Sequence, residues 1–146
     1  MALMRARESA MRVFRPVLAA HDLTEQQWRV LRCLAAEPAG LEVGEIAERT
    51  FLLGPSLSRI LSRLDERGLV VRDTVAHDQR RCRVALADAG WDIVRTVAPH
   101  SEAAYGLIER RFGRQRLDHL TTLLDELAAI DWASPDPDDP DPEAAP

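Results

Sequence analysis

The sequence contains no lysine: all 19 of its basic residues are arginine. It has only two cysteines, Cys33 and Cys82, far apart and outside any CxxC pair or histidine spacing, which excludes a disulfide scaffold and a zinc ribbon. Aromatic residues make up 5%, and the seven glycines form no phosphate-cradling loop. His21, His77, His100 and His119 show no metal-ligand spacing, and no serine or cysteine nucleophile sits in a recognisable catalytic setting. A non-enzyme without metal or cofactor is therefore expected. No apolar run approaches the roughly 20 residues needed to cross a bilayer. The opening MALMRARESAMRVFRP is too broken by arginine for a secretory signal, so a cytoplasmic protein with no membrane partner is expected.

What remains is 146 residues with 46% hydrophobic and 29% charged side chains, enough for one helix-rich subunit with one core. The net charge of −5 is uneven along the chain. The last 16 residues, DWASPDPDDPDPEAAP, hold six acids, five of the nine prolines and no base, which leaves a balance of +1 for residues 1–130. Between Gly54 and Arg83 seven arginines face four acids, a local +3. Such asymmetry says more about partners than the total does. Residues 132–146 read as an acidic, proline-rich disordered tail, because they carry too little apolar surface to offset the entropy of ordering.

Met11, Phe14, Val17 and Leu18 recur at helical spacing in a first helix over 3–19, with Pro16 as a bend near its end. Thr24-Glu25-Gln26-Gln27 matches a capping box, and Leu23 and Trp28 stand where a hydrophobic staple would lie. The helix that starts there runs through Val30, Leu31 and Leu34 until Pro38 and Gly40 stop it. A short helix over 42–50 with Val43, Ile46 and Ala47 inward is followed by FLLG. A second helix over 55–67 opens on Pro55 as its first residue, buries Leu57, Ile60, Leu61 and Leu64, and ends at Gly68. These two form a helix-turn-helix candidate. Residues 69–72 and 81–86 read as a hairpin, or wing, with Cys82, Val84 and Leu86 on one face and Arg81 and Arg83 on the other. Two further helices span 88–111, kinked by Pro99, and 114–131.

At about 100° per residue, the apolar residues of the 55–67 helix leave Ser58, Arg59, Ser62 and Arg63 on the opposite side. Ser56 joins them, because the N-terminal half of such a helix enters the major groove. Arginine can fork onto guanine, and serine reaches phosphates or base edges without blocking close approach. Taken alone, this is also the pattern of an ordinary amphipathic helix with a solvated face. The order of parts favours DNA: a helix pair, a polar-faced second helix, a terminal glycine and an arginine-bearing hairpin in succession. At the hairpin tip Asp78 is placed to brace Arg80 for a narrow minor groove, and Arg81 adds charge beside it.

The run PSLSRILSRLDERGLVVR, followed by His77-Asp78-Gln79-Arg80 and Leu86-Ala87-Asp88-Ala89-Gly90, resembles the winged helix-turn-helix signature of MarR-type transcriptional regulators. The likeness covers about residues 3–131. It implies a mainly α fold with a small β-hairpin wing: one subunit over 3–131, a DNA-binding lobe at about 42–86, and helices at about 3–19 and 88–131 forming a dimerisation region. It assigns DNA contacts to Ser56, Ser58, Arg59, Ser62 and Arg63, and a wing contact to Arg80 braced by Asp78. The family usually carries Thr where this chain has Ala87, so Asp88 is expected to cap the next helix instead. Segments around Ala6-Arg7-Glu8-Ser9-Ala10-Met11, Phe14-Arg15-Pro16 and Asp22–Arg29 are similar to regulators of homoprotocatechuate (hydroxyphenylacetate) degradation operons.

The resemblance implies a homodimer on a pseudo-palindromic double-stranded operator, with Met11, Phe14, Leu18, Leu117, Leu120, Leu124 and Leu127 in the interface. It further implies a repressor released by a small aromatic carboxylate bound between the dimer helices and the DNA-binding lobe. Arg15 is the candidate for the carboxylate, Ser9 and His21 for ring hydroxyls, and Met11, Phe14 and Trp28 for apolar walls. Each has a plainer alternative: Arg15 in a surface ion pair, His21 as a loop residue, Trp28 as the staple. Two rival functions stand beside this one. One is a redox sensor of the same fold using Cys33 and Cys82. The other is a winged-helix protein-interaction module that binds no DNA.

Overall fold

The computed structural model describes residues 1–74 and 82–131. The chain divides into two compact units, Met1–Gly106 and Leu107–Pro146. In chain order the elements are α1 (Ala2–Ala19), α2 (Glu25–Ala35), β1 (Leu41–Glu42), α3 (Val43–Thr50), α4 (Gly54–Glu66), β2 (Val70–Thr74), β3 (Cys82–Leu86), α5 (Asp88–Phe112) and α6 (Arg114–Ala128). Among the described residues no helix is long and apolar enough to cross a membrane.

The start of α2 is fixed locally. Gln27 N–H donates to Thr24 Oγ1 (3.2 Å) and Thr24 N–H donates to Gln27 Oε1 (2.9 Å), satisfying two amides that a helix start leaves open. Leu23 and Trp28 are both buried, as a staple requires. A second reach-back, Glu42 N–H to Glu45 Oε2 (2.7 Å), opens α3. That helix starts at Val43 rather than residue 42 because Leu41 and Glu42 pair with Val84 and Arg83 of β3. The expected hairpin is thus the larger part of a three-stranded antiparallel sheet of order β1-β3-β2. Its β2–β3 register runs from Val70↔Leu86 to Thr74↔Cys82.

α4 begins one residue earlier than expected, with Leu53 as N-cap, so Pro55 stands second in the helix. Arg67 is the C-cap rather than a helical residue. Leu57, Ile60, Leu61 and Leu64 are buried, and the last turn closes on Gly68 at φ +64°. With Val30, Leu31, Leu34, Ile46, Val70, Val84 and Val97 they form the core of the first unit. Full burial of a leucine is worth about 1.5–3 kcal/mol, so this apolar face is the principal force holding α4 in place.

α5 runs without interruption past Pro99. Asp88 is its first residue, so its charge stands in the first turn, where the positive end of the helix dipole favours it, instead of capping from outside. Gly90 is required by packing: a Cβ there would lie 2.0 Å from the Leu69 carbonyl oxygen. α6 has no buried residue and leaves Leu120, Leu123, Leu124 and Leu127 exposed.

Candidate functional site

Two features of the first unit carry chemistry. The first is the outer face of α4. Ser56, Ser58, Arg59, Ser62 and Arg63 are all exposed, opposite the buried leucines, as the helical spacing predicts. Ser62 Oγ accepts from Arg72 Nη2 of β2 (3.4 Å), and Arg72 Nε lies 3.4 Å from Asp65 Oδ2. Most other arginines of the unit have carboxylate or carbonyl partners, among them Arg7, Arg15, Arg29, Arg49, Arg67 and Arg83. Among the described residues neither Arg59 nor Arg63 has one. Two guanidiniums one helical turn apart without such a partner, with Ser58 and Ser62 each next to one of them, can receive phosphate oxygens or guanine edges. Asp78, Arg80 and Arg81, expected at the wing, lie outside the described residues.

The second feature is a cavity of about 460 Å³, within the range of small-molecule sites. Met11, Phe14 and Leu18 of α1, Trp28, Arg32 and Cys33 of α2, and Tyr105 of α5 line it. The Phe14 and Tyr105 rings meet edge to face at 4.8 Å and 61°. Arg32 Nη1 donates to the Tyr105 hydroxyl at 3.0 Å, and its guanidinium carbon lies 5.6 Å from that ring's centre. Among the described residues no carboxylate pairs with Arg32. The Trp28 indole N–H is buried and has no partner there either, leaving a donor open beside the cavity.

This geometry redistributes the expected effector residues. Met11, Phe14 and Trp28 line the cavity, whereas Ser9, Arg15 and His21 do not. Arg15 grips Glu8 with both terminal nitrogens and Glu25 with Nε (2.8 Å), and Arg7 completes the cluster on Glu25. The hydrogen bond from Arg15 holds the Glu8 carboxyl below its usual range. Burial pushes the Glu25 carboxyl up, but bonds from Arg15 and Arg7 outweigh this and its pKa is lowered. A guanidinium already holding two carboxylates has no free fork for a third. Ser9 is exposed, and the His21 carbonyl accepts from Arg67 Nη2 (3.2 Å). Arg32 and Tyr105 are the functional candidates that sequence reasoning missed.

The expected interface residues divide as well. Phe14 and Leu18 are buried inside the first unit, because their helix face packs under the Tyr105 ring and the cavity, so they need no second chain for burial. Leu120, Leu124 and Leu127 remain exposed, and Leu117 is half-buried. Cys33 is also half-buried, and burial raises its thiol pKa, with Glu37 adding to this and Arg49 opposing it. That is the reverse of what a reactive thiolate needs.

A helix-turn-helix with an attached antiparallel sheet and an arginine-bearing outer helix defines the winged helix-turn-helix class of transcriptional regulators. The MarR family profile (MarR_2) matches residues 21–81. The homoprotocatechuate degradative operon repressor of Escherichia coli is 40% identical over 129 residues, covering 88% of this chain and 86% of that protein. The crystal structure of NadR in complex with 4-hydroxyphenylacetate is 40% identical, with a TM-score of 0.73 over 88% of this chain and 91% of that one. The repressor CouR bound to a 23-mer DNA duplex is 30% identical, with a TM-score of 0.79 over 87% of this chain and 89% of that one. The chain belongs to the MarR family of transcriptional regulators.

Proposed function

We propose that this protein is a homodimeric, sequence-specific repressor that holds a pseudo-palindromic operator of an aromatic-acid catabolic operon and is released by an aromatic carboxylate. The observation that carries the DNA half is the outer face of α4, where Arg59 and Arg63 are exposed and have no carboxylate or carbonyl partner among the described residues, while most other arginines of the same unit have one. Two such helices related by a two-fold axis would read half-sites about one DNA turn apart, with Asp78, Arg80 and Arg81 of the wing flanking them. The exposed leucines of α6 supply apolar surface for the second copy. DNA-bound CouR and the E. coli repressor are relatives with the same kind of function in their names.

The cavity supports the effector half. Arg32 takes the role expected of Arg15: its planar guanidinium can pair a carboxylate through two bonds, with the Tyr105 hydroxyl beside it. Met11, Phe14 and Trp28 supply the walls for a ring. Release then requires the ligand to bind the form with displaced recognition helices more tightly than the DNA-bound form. Swinging occupancy from 99:1 to 1:99 needs about a 10⁴-fold difference.

The test uses the full chain with a duplex selected from a randomised pool, titrated with and without 4-hydroxyphenylacetate. The reading expects a two-fold symmetric selected site, affinity that falls steeply with salt, and weakened binding when the acid is added. Arg32→Ala should retain operator binding and lose the response. Failure to enrich any duplex refutes the DNA reading. Equal release of wild type and Arg32→Ala refutes the placing of the carboxylate.

A further inference from the structure

The turn between α3 and α4 consists of Phe51, Leu52 and Leu53. Leu52 is buried, while Phe51 is 91% and Leu53 78% exposed. Phe51 also adopts φ 53° and ψ 36°, the left-handed region that glycine enters freely and that a bulky side chain enters only under strain. The turn's backbone is held by contacts indifferent to the side chain at this position. The amides of Phe51 and Leu52 both donate to the Ala47 carbonyl, and Arg29 Nη1 donates to the Thr50 carbonyl (3.0 Å). Helix-turn-helix connections commonly carry glycine, and glycine would remove the strain here. A phenyl ring therefore occupies the position that folding least favours and recovers almost no burial. Neither the core nor the local backbone accounts for it.

We propose that Phe51, with Leu53 beside it, is a specificity-determining residue that packs on the C5-methyl group of a thymine in the operator's major groove. The inference rests on the DNA-binding reading above and adds an apolar readout to the polar one. Position and neighbours select this occupant. The ring stands in the turn that leads into α4, five residues before Ser56 and seven before Ser58, and Ser56, Ser58 and Arg59 are all exposed. The major groove's one apolar feature is the thymine methyl, which phenylalanine is suited to contact. Leu53 as N-cap places no side-chain acceptor on the first amides of α4, so the helix end is open to the DNA backbone. Two side chains cover far less area than a stable protein interface needs.

The experiment uses the operator selected by the wild-type protein, with each thymine replaced in turn by deoxyuridine, which removes the methyl group alone. At one thymine in each half-site, wild-type affinity should fall roughly fourfold, the equivalent of one buried methylene, and about 15-fold when both half-sites are changed. Phe51→Gly and Phe51→Asn, both tolerant of the left-handed region, should melt no lower than wild type, bind the thymine operator as weakly as wild type binds the deoxyuridine one, and lose nothing more on methyl removal. Wild-type affinity for the operator in either variant overturns the proposal. So does a loss that is the same on every deoxyuridine duplex, since the ring would then act without reading a methyl group. If the wild type selects no duplex at all, the DNA reading falls and takes this proposal with it.

Discussion

Replacing Gly90 with alanine should destabilise the first unit more than any comparable addition of one methyl group elsewhere in it. An ideal Cβ at this position would lie 2.0 Å from the Leu69 carbonyl oxygen, 3.1 Å from the Leu69 carbonyl carbon and 3.2 Å from Leu86 Cδ2. The first distance is more than an ångström inside van der Waals contact, and the offending atom is backbone. The same oxygen accepts the Ala87 amide at 3.1 Å, so the N-terminus of α5 and the chain leading into β2 cannot separate without losing that bond. Overpacking of a close-packed site typically costs about 1–3 kcal/mol. With no flexible side chain to yield, the upper end applies, which corresponds to a fall in Tm of about 10 °C or more. Gly44→Ala is the control: a Cβ there meets nothing within 4 Å inside α3, and alanine should stabilise by about 0.5 kcal/mol. Urea and thermal unfolding followed by circular dichroism measure both. A Gly90→Ala protein that melts within a degree or two of wild type would refute the close approach of α5 to Leu69.

Arg59→Ala and Arg63→Ala should leave the melting temperature unchanged, since the removed groups have no partner among the described residues. Each should weaken operator binding by about 1–3 kcal/mol per half-site if it forks onto a base, or lower the salt slope by about one per lost phosphate contact; anisotropy titrations over a salt series distinguish the two, and no change in either speaks against the interface. Glu25→Gln should flatten the acid limb of stability. The folded pKa of Glu25 lies below its ordinary 4.5, so its contribution is present above that value and lost as pH falls through the lowered one; an unchanged acid midpoint would show that the Arg7–Glu25–Arg15 cluster contributes nothing. Because burial raises the Cys33 thiol pKa, alkylation at pH 8 should be slower than that of a free cysteine. Cys33→Ser should bind operator as wild type does, with or without peroxide, and sensitivity abolished by this change would revive the redox alternative.

The parts legible in the sequence are those encoded over three or four residues. Thr24 and Gln27 announce a helix start because the two groups that satisfy each other's amides lie three apart, and the spacing of Leu57, Ile60, Leu61 and Leu64 alone orients Ser58, Arg59, Ser62 and Arg63 outward. Relations across the chain were not legible. Arg32 and Tyr105 meet from separate helices, and nothing near either residue marks the other as a partner. Arg15 is the converse case. A free arginine and one committed to Glu8 and Glu25 look the same in sequence, because the Glu25 contact exists only once α1 lies against the start of α2. Phe14 and Leu18 show the limit of an apolar stripe: periodicity says that a face is covered, but not by which chain. Gly90 belonged to a motif visible in the sequence, while its reason, the carbonyl of Leu69 just ahead of β2, required the fold. The two residues of β1 carry too little pattern to be seen at all.

Arg67 closes the far end of α4 and donates from Nη1 to the Asp22 carbonyl (2.7 Å) and from Nη2 to the His21 carbonyl (3.2 Å). One planar group thus clamps α4 to the elbow joining α1 and α2, the two helices that supply most of the cavity wall. A change in the angle of that elbow must either pull the end of α4 along with it or tear both bonds. The Arg67 side chain therefore ties the segment between α1 and α2 directly to the end of α4, without passing through the packed interior.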